Sequence, residues 1–337
     1  MTRRQRVIAI SSSAVAAVTA LAVTLVVLLT GSSAPPSSPG AAPAQTASSG
    51  PLLSPFTGEP VSALGPVVAV KIDNIMLARP QTGIQSADIV YVLPVEGGLS
   101  RFFVVFSSHL PPVIGPVRSA REDDLELLAQ FGRPAFAYSG ATPHLLPFIH
   151  RARIVDLYAG TAKGYYRSAD RIAPYNLYAR SQVLLAQAKA EGASKAHDIG
   201  FRFSVSPPAG GKTVSAQVAS YPAAKYTFRW SAAQKRWLAS VDGSPALLTG
   251  GTQMGGVTVV IQYTTVRTSR FLEYGSPPPF AQSVGSGRAV VLRDGRAYDA
   301  TWSRGNADAG TVYTLPTGQR MTFAPGQVWV LLVAAPR

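Results

Sequence analysis

Short apolar runs bounded by glycine and proline dominate the chain from residue 56 onward, and the pattern changes partway along. Val67 to Asp73, Asp88 to Val95 and Arg101 to Ser107 are rich in β-branched and aromatic residues, which is how buried strands read. Ser119 to Phe131 takes a helical period instead, with Leu125, Leu128 and Ala129 on one face. Glu122, Asp123 and Asp124 fall in its first turn, where acids favour the helix dipole. A strand (135–138), a helix (143–151), a strand (153–158) and a helix from Ser181 to Glu191, closed by Gly192, complete this region. Past His197 only strand-like segments separated by turns remain: 213–218, 225–230, 236–241, 257–265, 289–293, 296–302, 311–315, 320–323 and 328–333. Asp294-Gly295 is the strongest hairpin signal among them, because the pair tolerates the positive φ angles of a tight turn. The pattern predicts an α+β protein, with a mixed α/β N-terminal domain over 56–205 and a mostly antiparallel, β-rich C-terminal domain over 206–337.

Upstream the pattern differs. Val7 to Leu29 carries no charge and is long enough to cross a bilayer as a helix, while Arg3, Arg4 and Arg6 lie in the basic flank 1–6. That flank predicts a single-pass anchor with its N-terminus inside and the folded part outside. The alternative is a signal segment, cleaved to release a secreted protein. The apolar run exceeds an ordinary signal core, and Pro35 and Pro36 stand where a cleavage site is wanted, so the anchor is favoured. Residues 30–55, almost all Gly, Ser, Ala, Pro and Thr, read as a disordered linker.

Composition narrows the partners. With 47% hydrophobic and 14% charged residues the chain can bury a large core. The formal net charge is +14, and setting aside the three N-terminal arginines leaves +11 for the remainder. A basic exported domain suits a wall polymer or another anionic envelope ligand. Nucleic acid is not predicted, since no DNA- or RNA-binding signature is present. The absence of cysteine excludes disulfides, thiolate metal sites and a cysteine nucleophile. His109, His144, His150 and His197 show no metal-ligand spacing, and there is no Walker or dinucleotide motif, so no metal and no cofactor are expected. Oligomeric state is not encoded legibly.

Candidate chemistry concentrates between Asp73 and Arg121. Gly115 to Arg121 approaches a predicted helix start, where free N–H groups, Ser119 as cap, Arg118 and Arg121 would hold a phosphate or carboxylate. Glu96-Gly97-Gly98 forms a turn between two predicted strands, its glycines permitting positive φ and close approach of another backbone, with Arg101 starting the second strand. Asp73 and Asn74 close the first strand and are followed by Arg79 and Gln81. If the strands align, Asp73, Asp88 and Glu96 meet these arginines at one edge. The carboxylates then serve either as structural partners of the arginines or as general acid and base on a glycan, Glu96 acting with Asp88 or Asp73.

The order of these motifs resembles a known family. Ala78-Arg79-Pro80-Gln81 with Gly83, then Ala87 to Tyr91, Glu96-Gly97-Gly98 with Arg101, and Gly115 to Arg121 are similar to the N-terminal domain of the YerB-like lipoprotein family. This is a domain-of-unknown-function family of the bacterial cell envelope. The resemblance runs from about Phe56 to the C-terminus, weaker at Pro174 to Tyr178, where Asn176 would face the cleft, and diffuse beyond Gly200. It implies a fold family and a compartment and no established activity. Two departures matter: there is no cysteine to acylate, and Val92 stands where the family pattern leads one to expect an acid. The sequence therefore points to a membrane-anchored, extracytoplasmic protein that binds an anionic or carbohydrate envelope ligand using Asn74, Arg79, Gln81, Arg101, Arg118, Ser119, Arg121 and Asn176. A wall glycan or peptide hydrolase or transferase, and a structural scaffold without ligand, are the alternatives.

Overall fold

The computed structural model describes residues 50–272 and 277–336. The predicted anchor, residues 7–29, and most of the predicted linker lie outside the described residues. Among the described residues no helix is long and apolar enough to cross a membrane. The described body begins inside the segment read as linker. Leu53 pairs with Pro60, and Ser54 and Phe56 are buried.

The main strands in chain order are β1 (Val68–Ile72), β2 (Ile89–Pro94), β3 (Ser100–Phe106), β4 (Ala135–Tyr138), β5 (Val155–Tyr158), β6 (Ala216–Tyr221), β7 (Ala224–Ser231), β8 (Arg236–Val241), β9 (Thr258–Thr264), β10 (Gly285–Arg293), β11 (Arg296–Arg304), β12 (Val312–Thr314) and β13 (Val328–Ala334). Three α-helices accompany them: α1 (Glu122–Ala129), α2 (Leu146–Arg151) and α3 (Ser181–Ala190). Ten of the strands form one sheet in the order β12-β11-β10-β9-β13-β2-β3-β1-β4-β5, and Lys212–Thr213 adds an eleventh beside β11. This sheet crosses the boundary between the two predicted halves, because β13 pairs in parallel with β2 on one side and with β9 on the other. The halves are separable in sequence and share one sheet in space.

Alternation along each strand distributes its residues to the two faces. Val68, Val70 and Ile72, with Val90, Val92, Phe102, Val104 and Trp329, lie on the face covered by α3, through Leu184 and Ala188, and by a second sheet built from β6, β7 and β8, which contributes Tyr226, Phe228 and Trp237. Val67, Ala69, Phe103, Val105, Phe136 and Val330 face the other way, onto α1 and α2 through Leu127, Leu128 and Ile149. Both faces are covered, so these strands read as unbroken apolar runs instead of alternating ones.

Several elements depart from the sequence pattern. α1 starts at Glu122, three residues later than the pattern predicts, because the chain before it is extended. Arg118 N–H donates to Lys71 O (2.8 Å) and Ala120 N–H to Gly140 O (2.8 Å), wedging this segment between the ends of β1 and β4. The expected strand 320–323 makes only isolated bridges, Thr314 to Arg320 and Phe203 to Phe323. Val113–Ile114, Tyr165–Arg167 and Leu177–Arg180 form a small sheet whose segments are too short to show a period. The Asp294-Gly295 turn is as expected, with φ of 51° and 71° and Arg293 paired with Arg296.

Trp329 lies edge-on between Phe102 and Phe228, at centroid distances of 5.6 and 5.7 Å, and touches both halves and both sheets. Trp329→Ala is expected to cost about 3–5 kcal/mol, the usual range for emptying a buried aromatic site. Urea unfolding followed by circular dichroism and by fluorescence checks this, and the two probes should give one coincident transition.

Candidate functional site

The polar cluster sits on the edge where β1 and β2 end. Asp73 follows β1, Glu96 follows β2, and Arg101 lies on β3 between them, opposite Leu93. The wedge carrying Arg118, Ser119 and Arg121 closes the same edge. Sites in sheets with parallel strands favour such carboxyl ends, where backbone groups and loop side chains converge.

Asp73 is buried and shared. Its Oδ2 lies 2.8 Å from Arg118 Nε, and its Oδ1 lies 3.8 Å from Arg101 Nε and accepts the Asn74 N–H at 2.9 Å. The contact with Arg118 is an ion pair without hydrogen-bond alignment. Two guanidinium groups thus divide one carboxylate. Arg101 also donates to Ser119 O at 3.2 Å. Its pKa falls to about 10, chiefly because burial strips its hydration and then because Arg121 repels it; Asp73 and Glu96 restore only part of the loss.

Arg121 makes a two-pronged contact with Glu96, Nε to Oε1 at 2.5 Å and Nη2 to Oε2 at 3.0 Å. Burial by itself raises the Glu96 pKa. The hydrogen bonds and charge of Arg121, helped by Arg101, outweigh it and hold the carboxyl below its ordinary value. The turn carrying Glu96 is fixed by its glycines. Gly97 and Gly98 have φ of 67° and 72°, and Gly98 O accepts the Ala223 N–H at 2.8 Å. A Cβ on Gly98 would lie 2.7 Å from Pro222 Cβ, so only glycine permits this approach of the β6–β7 turn. Beside it opens a cleft of about 480 Å³, walled by Glu96, Gly98, Tyr221, Pro222, Arg267 and Pro278.

Asn74 and Gln81 organise the floor. Gln81 donates to Asn74 Oδ1 (2.9 Å) and to Asp73 O (3.1 Å), while Asn74 Nδ2 donates to Tyr226 OH. Tyr226 also bonds Ser100 Oγ at 2.7 Å. Arg79 donates to Asn74 O at 3.1 Å and lies 3.6 Å from Asp242.

Four expectations need correction. Asp88 precedes β2 and lies at its opposite end, where its carboxylate accepts the N–H groups of Ser107 and Ser108, so it cannot act with Glu96. Ser119 does not cap the helix, because Arg121 occupies that position, with Asp124 Oδ2 accepting the Arg121 N–H at 2.7 Å. The N–H groups of Val117, Arg118, Ala120 and Arg121 are all donated internally, so these four do not form the free backbone cradle expected for an anion. Asn176 does not face the cleft. Its amide is consumed by Arg167 (2.7 Å) and Ser168 O (3.2 Å), and the neighbouring Tyr175 reaches the site instead, its ring 5.7 Å from the Arg118 guanidinium. Val92 is fully buried in the core beside the second sheet. Among the described residues no cluster of three metal-ligating side chains occurs.

Tyr175, Tyr226 and Ser100 were missed from sequence. Tyr226 sits in a strand where an aromatic reads as core, and only the need of a buried phenol for a partner could have marked it.

The overall fold is similar to that of the crystal structure of the YerB protein from Bacillus subtilis. The match has a TM-score of 0.68 at 22% identity and covers 84% of this chain and 96% of that one. Residues 56–194 match the N-terminal domain, and 216–330 the C-terminal domain, of the family described as Protein of unknown function (DUF3048). The chain belongs to the DUF3048 family. It is 24% identical over 295 residues to the Bacillus subtilis (strain 168) protein named "Putative lipoprotein YerB", covering 84% of this chain and 86% of that protein. The resemblance carried by the motifs between Ala78 and Arg121 is thereby borne out.

The lowered Glu96 pKa has a defined consequence for stability. A carboxyl whose folded value lies below its unfolded one stabilises the fold above the unfolded value, and that contribution is lost as pH falls through the folded value. Stability should therefore drop as pH falls below the ordinary glutamate value of 4.5, and Glu96→Gln should flatten that part of the profile. Urea midpoints of both proteins across this range check it.

Proposed function

We propose that this protein is an extracytoplasmic envelope protein that binds an anionic ligand, such as an acidic group on a wall polymer, at the edge formed by Arg118, Arg101 and Tyr175. One observation supports the reading most directly. Arg118 is 22% exposed in its side chain and has Asp73 as its only charged partner among the described residues, and that partner is shared with Arg101. A guanidinium so placed can offer its outer edge to a carboxylate or phosphate, and Tyr175 beside it can stack on a ligand ring. The DUF3048 membership and the name of the Bacillus subtilis relative support the envelope location. That relative is named a lipoprotein, and this chain has no cysteine to carry a lipid, so its apolar segment 7–29 takes the role of anchor.

A hydrolase reading finds less support. The Arg121 contact holds Glu96 ionised, which suits a salt-bridge partner better than a general acid, and Asp88 lies at the far end of β2.

Cosedimentation of the purified protein with cell-wall sacculi tests the proposal. Arg118→Ala should weaken binding roughly tenfold or more, the scale of one hydrogen-bonded charge contact, and Glu96→Gln should bind nearly as wild type. Raised salt should weaken wild-type binding. Wall fragments released by wild type would replace this reading with the hydrolase, and unchanged binding by Arg118→Ala would remove Arg118 from the site.

A further inference from the structure

Beneath the arginine cluster, between β1 and α1, lies a group of ionisable side chains that the proposed site does not use. Lys71 Nζ is 2.6 Å from Asp124 Oδ1, and both side chains are fully excluded from solvent. The ammonium has three N–H donors, and this is its only hydrogen bond among the described residues. The Asp124 carboxylate is oriented at both ends. Oδ1 meets Lys71, and Oδ2 accepts the Arg121 backbone N–H at 2.7 Å. Asp123, one residue earlier in the first turn of α1, is also buried; neither of its carboxyl oxygens makes an aligned side-chain hydrogen bond among the described residues, and the Ala281 backbone N–H faces the group. A dry lysine–carboxylate pair beside a second carboxyl group is costly as ions and well placed for condensation.

We propose that Lys71 and Asp124 become joined by an intramolecular isopeptide bond, with Asp123 relaying the proton. The Lys71 ammonium gives one proton to the Asp124 carboxylate, and the freed Nζ lone pair attacks Asp124 Cγ. Arg121 N–H polarises the Cγ–Oδ2 bond and stays bonded to Oδ2 as it becomes the amide oxygen. Nζ passes its second proton through Asp123, the Cγ–Oδ1 bond breaks, and Oδ1 leaves as water. One C–N bond forms, one C–O bond breaks, Asp123 ends as it began, and no electrons are transferred. Burial, which raises the Asp123 pKa to about 7 against the lowering charge of Lys71, gives that carboxyl group access to both of its protonation states.

The bond would join β1 to α1 across a sequence separation of 53 in a chain that has no cysteine. It converts two buried charges into a neutral amide, so the core that encloses it becomes less polar.

Mass spectrometry of the denatured full chain tests this. The wild-type protein should weigh one water less than its sequence, and a tryptic digest should contain a branched species joining the Lys71 and Asp124 peptides. Lys71→Arg and Asp124→Ala should carry the full calculated mass. Asp123→Asn should also carry it while retaining both reacting groups; loss of water in that variant would overturn the relay. A wild-type chain of full mass, in which the Lys71 amine reacts freely with an acylating reagent after denaturation, would overturn the bond itself. The wild-type measurement decides the bond even if a variant fails to fold.

Discussion

The structure depends on the insertion of β13 between β2 and β9. Its seven residues pair in parallel with β9 and the first four of them also with β2, one strand from each half of the sequence, and every one except Ala334 is buried. β2 thereby gains backbone hydrogen bonds along Ile89–Val92 that the N-terminal half does not supply on that side. The second sheet then packs across the junction, with Phe228 and Trp237 on the face that also holds Phe102 and Trp329. The polar edge follows from this arrangement, because the β6–β7 turn and Tyr226 reach the ends of β1 and β2 only after the halves have merged.

Within that frame the arginines and acids divide their work unevenly. The acids at the start of α1 were expected to serve the helix dipole. They are turned inward instead. Glu122 accepts from Ser269 and Arg270, Glu126 from Ser283 and Val284, and Asp124 from Lys71. α1 is therefore stitched to the C-terminal half and to β1 by its carboxylates. Arg101 and Arg118 are left to share Asp73, and this imbalance gives the edge its character.

Much of the fold was legible in the sequence because β1, β2 and β3 are buried on both faces and leave uninterrupted apolar runs. The Asp294-Gly295 hairpin was legible because a tight turn restricts backbone angles locally. Long-range pairing was not. Nothing in the apolar run of β13 distinguishes a central strand joining two halves from a strand within one β-rich domain. The candidate site was legible as a group of residues and misread in its wiring. Asp88 and Glu96 are close in sequence, yet a strand places them at opposite ends. Asn176 and Tyr175 are adjacent, yet only the tyrosine faces Arg118, since the β-strand pairing of Leu177–Arg180 fixes which neighbour turns outward. Asn74 was singled out from sequence, while its partner Tyr226 lies 152 residues away and carries no local mark.

The place of β13 also orders events in time. A ribosome or a translocation channel delivers the chain from its N-terminus, so β2 emerges more than two hundred residues before the strand that completes its outer edge. Until then an apolar strand with a free row of N–H and C=O groups is open to any other chain. The assembly line thus ends with its central beam, and the nascent protein must be shielded from its neighbours for most of its synthesis.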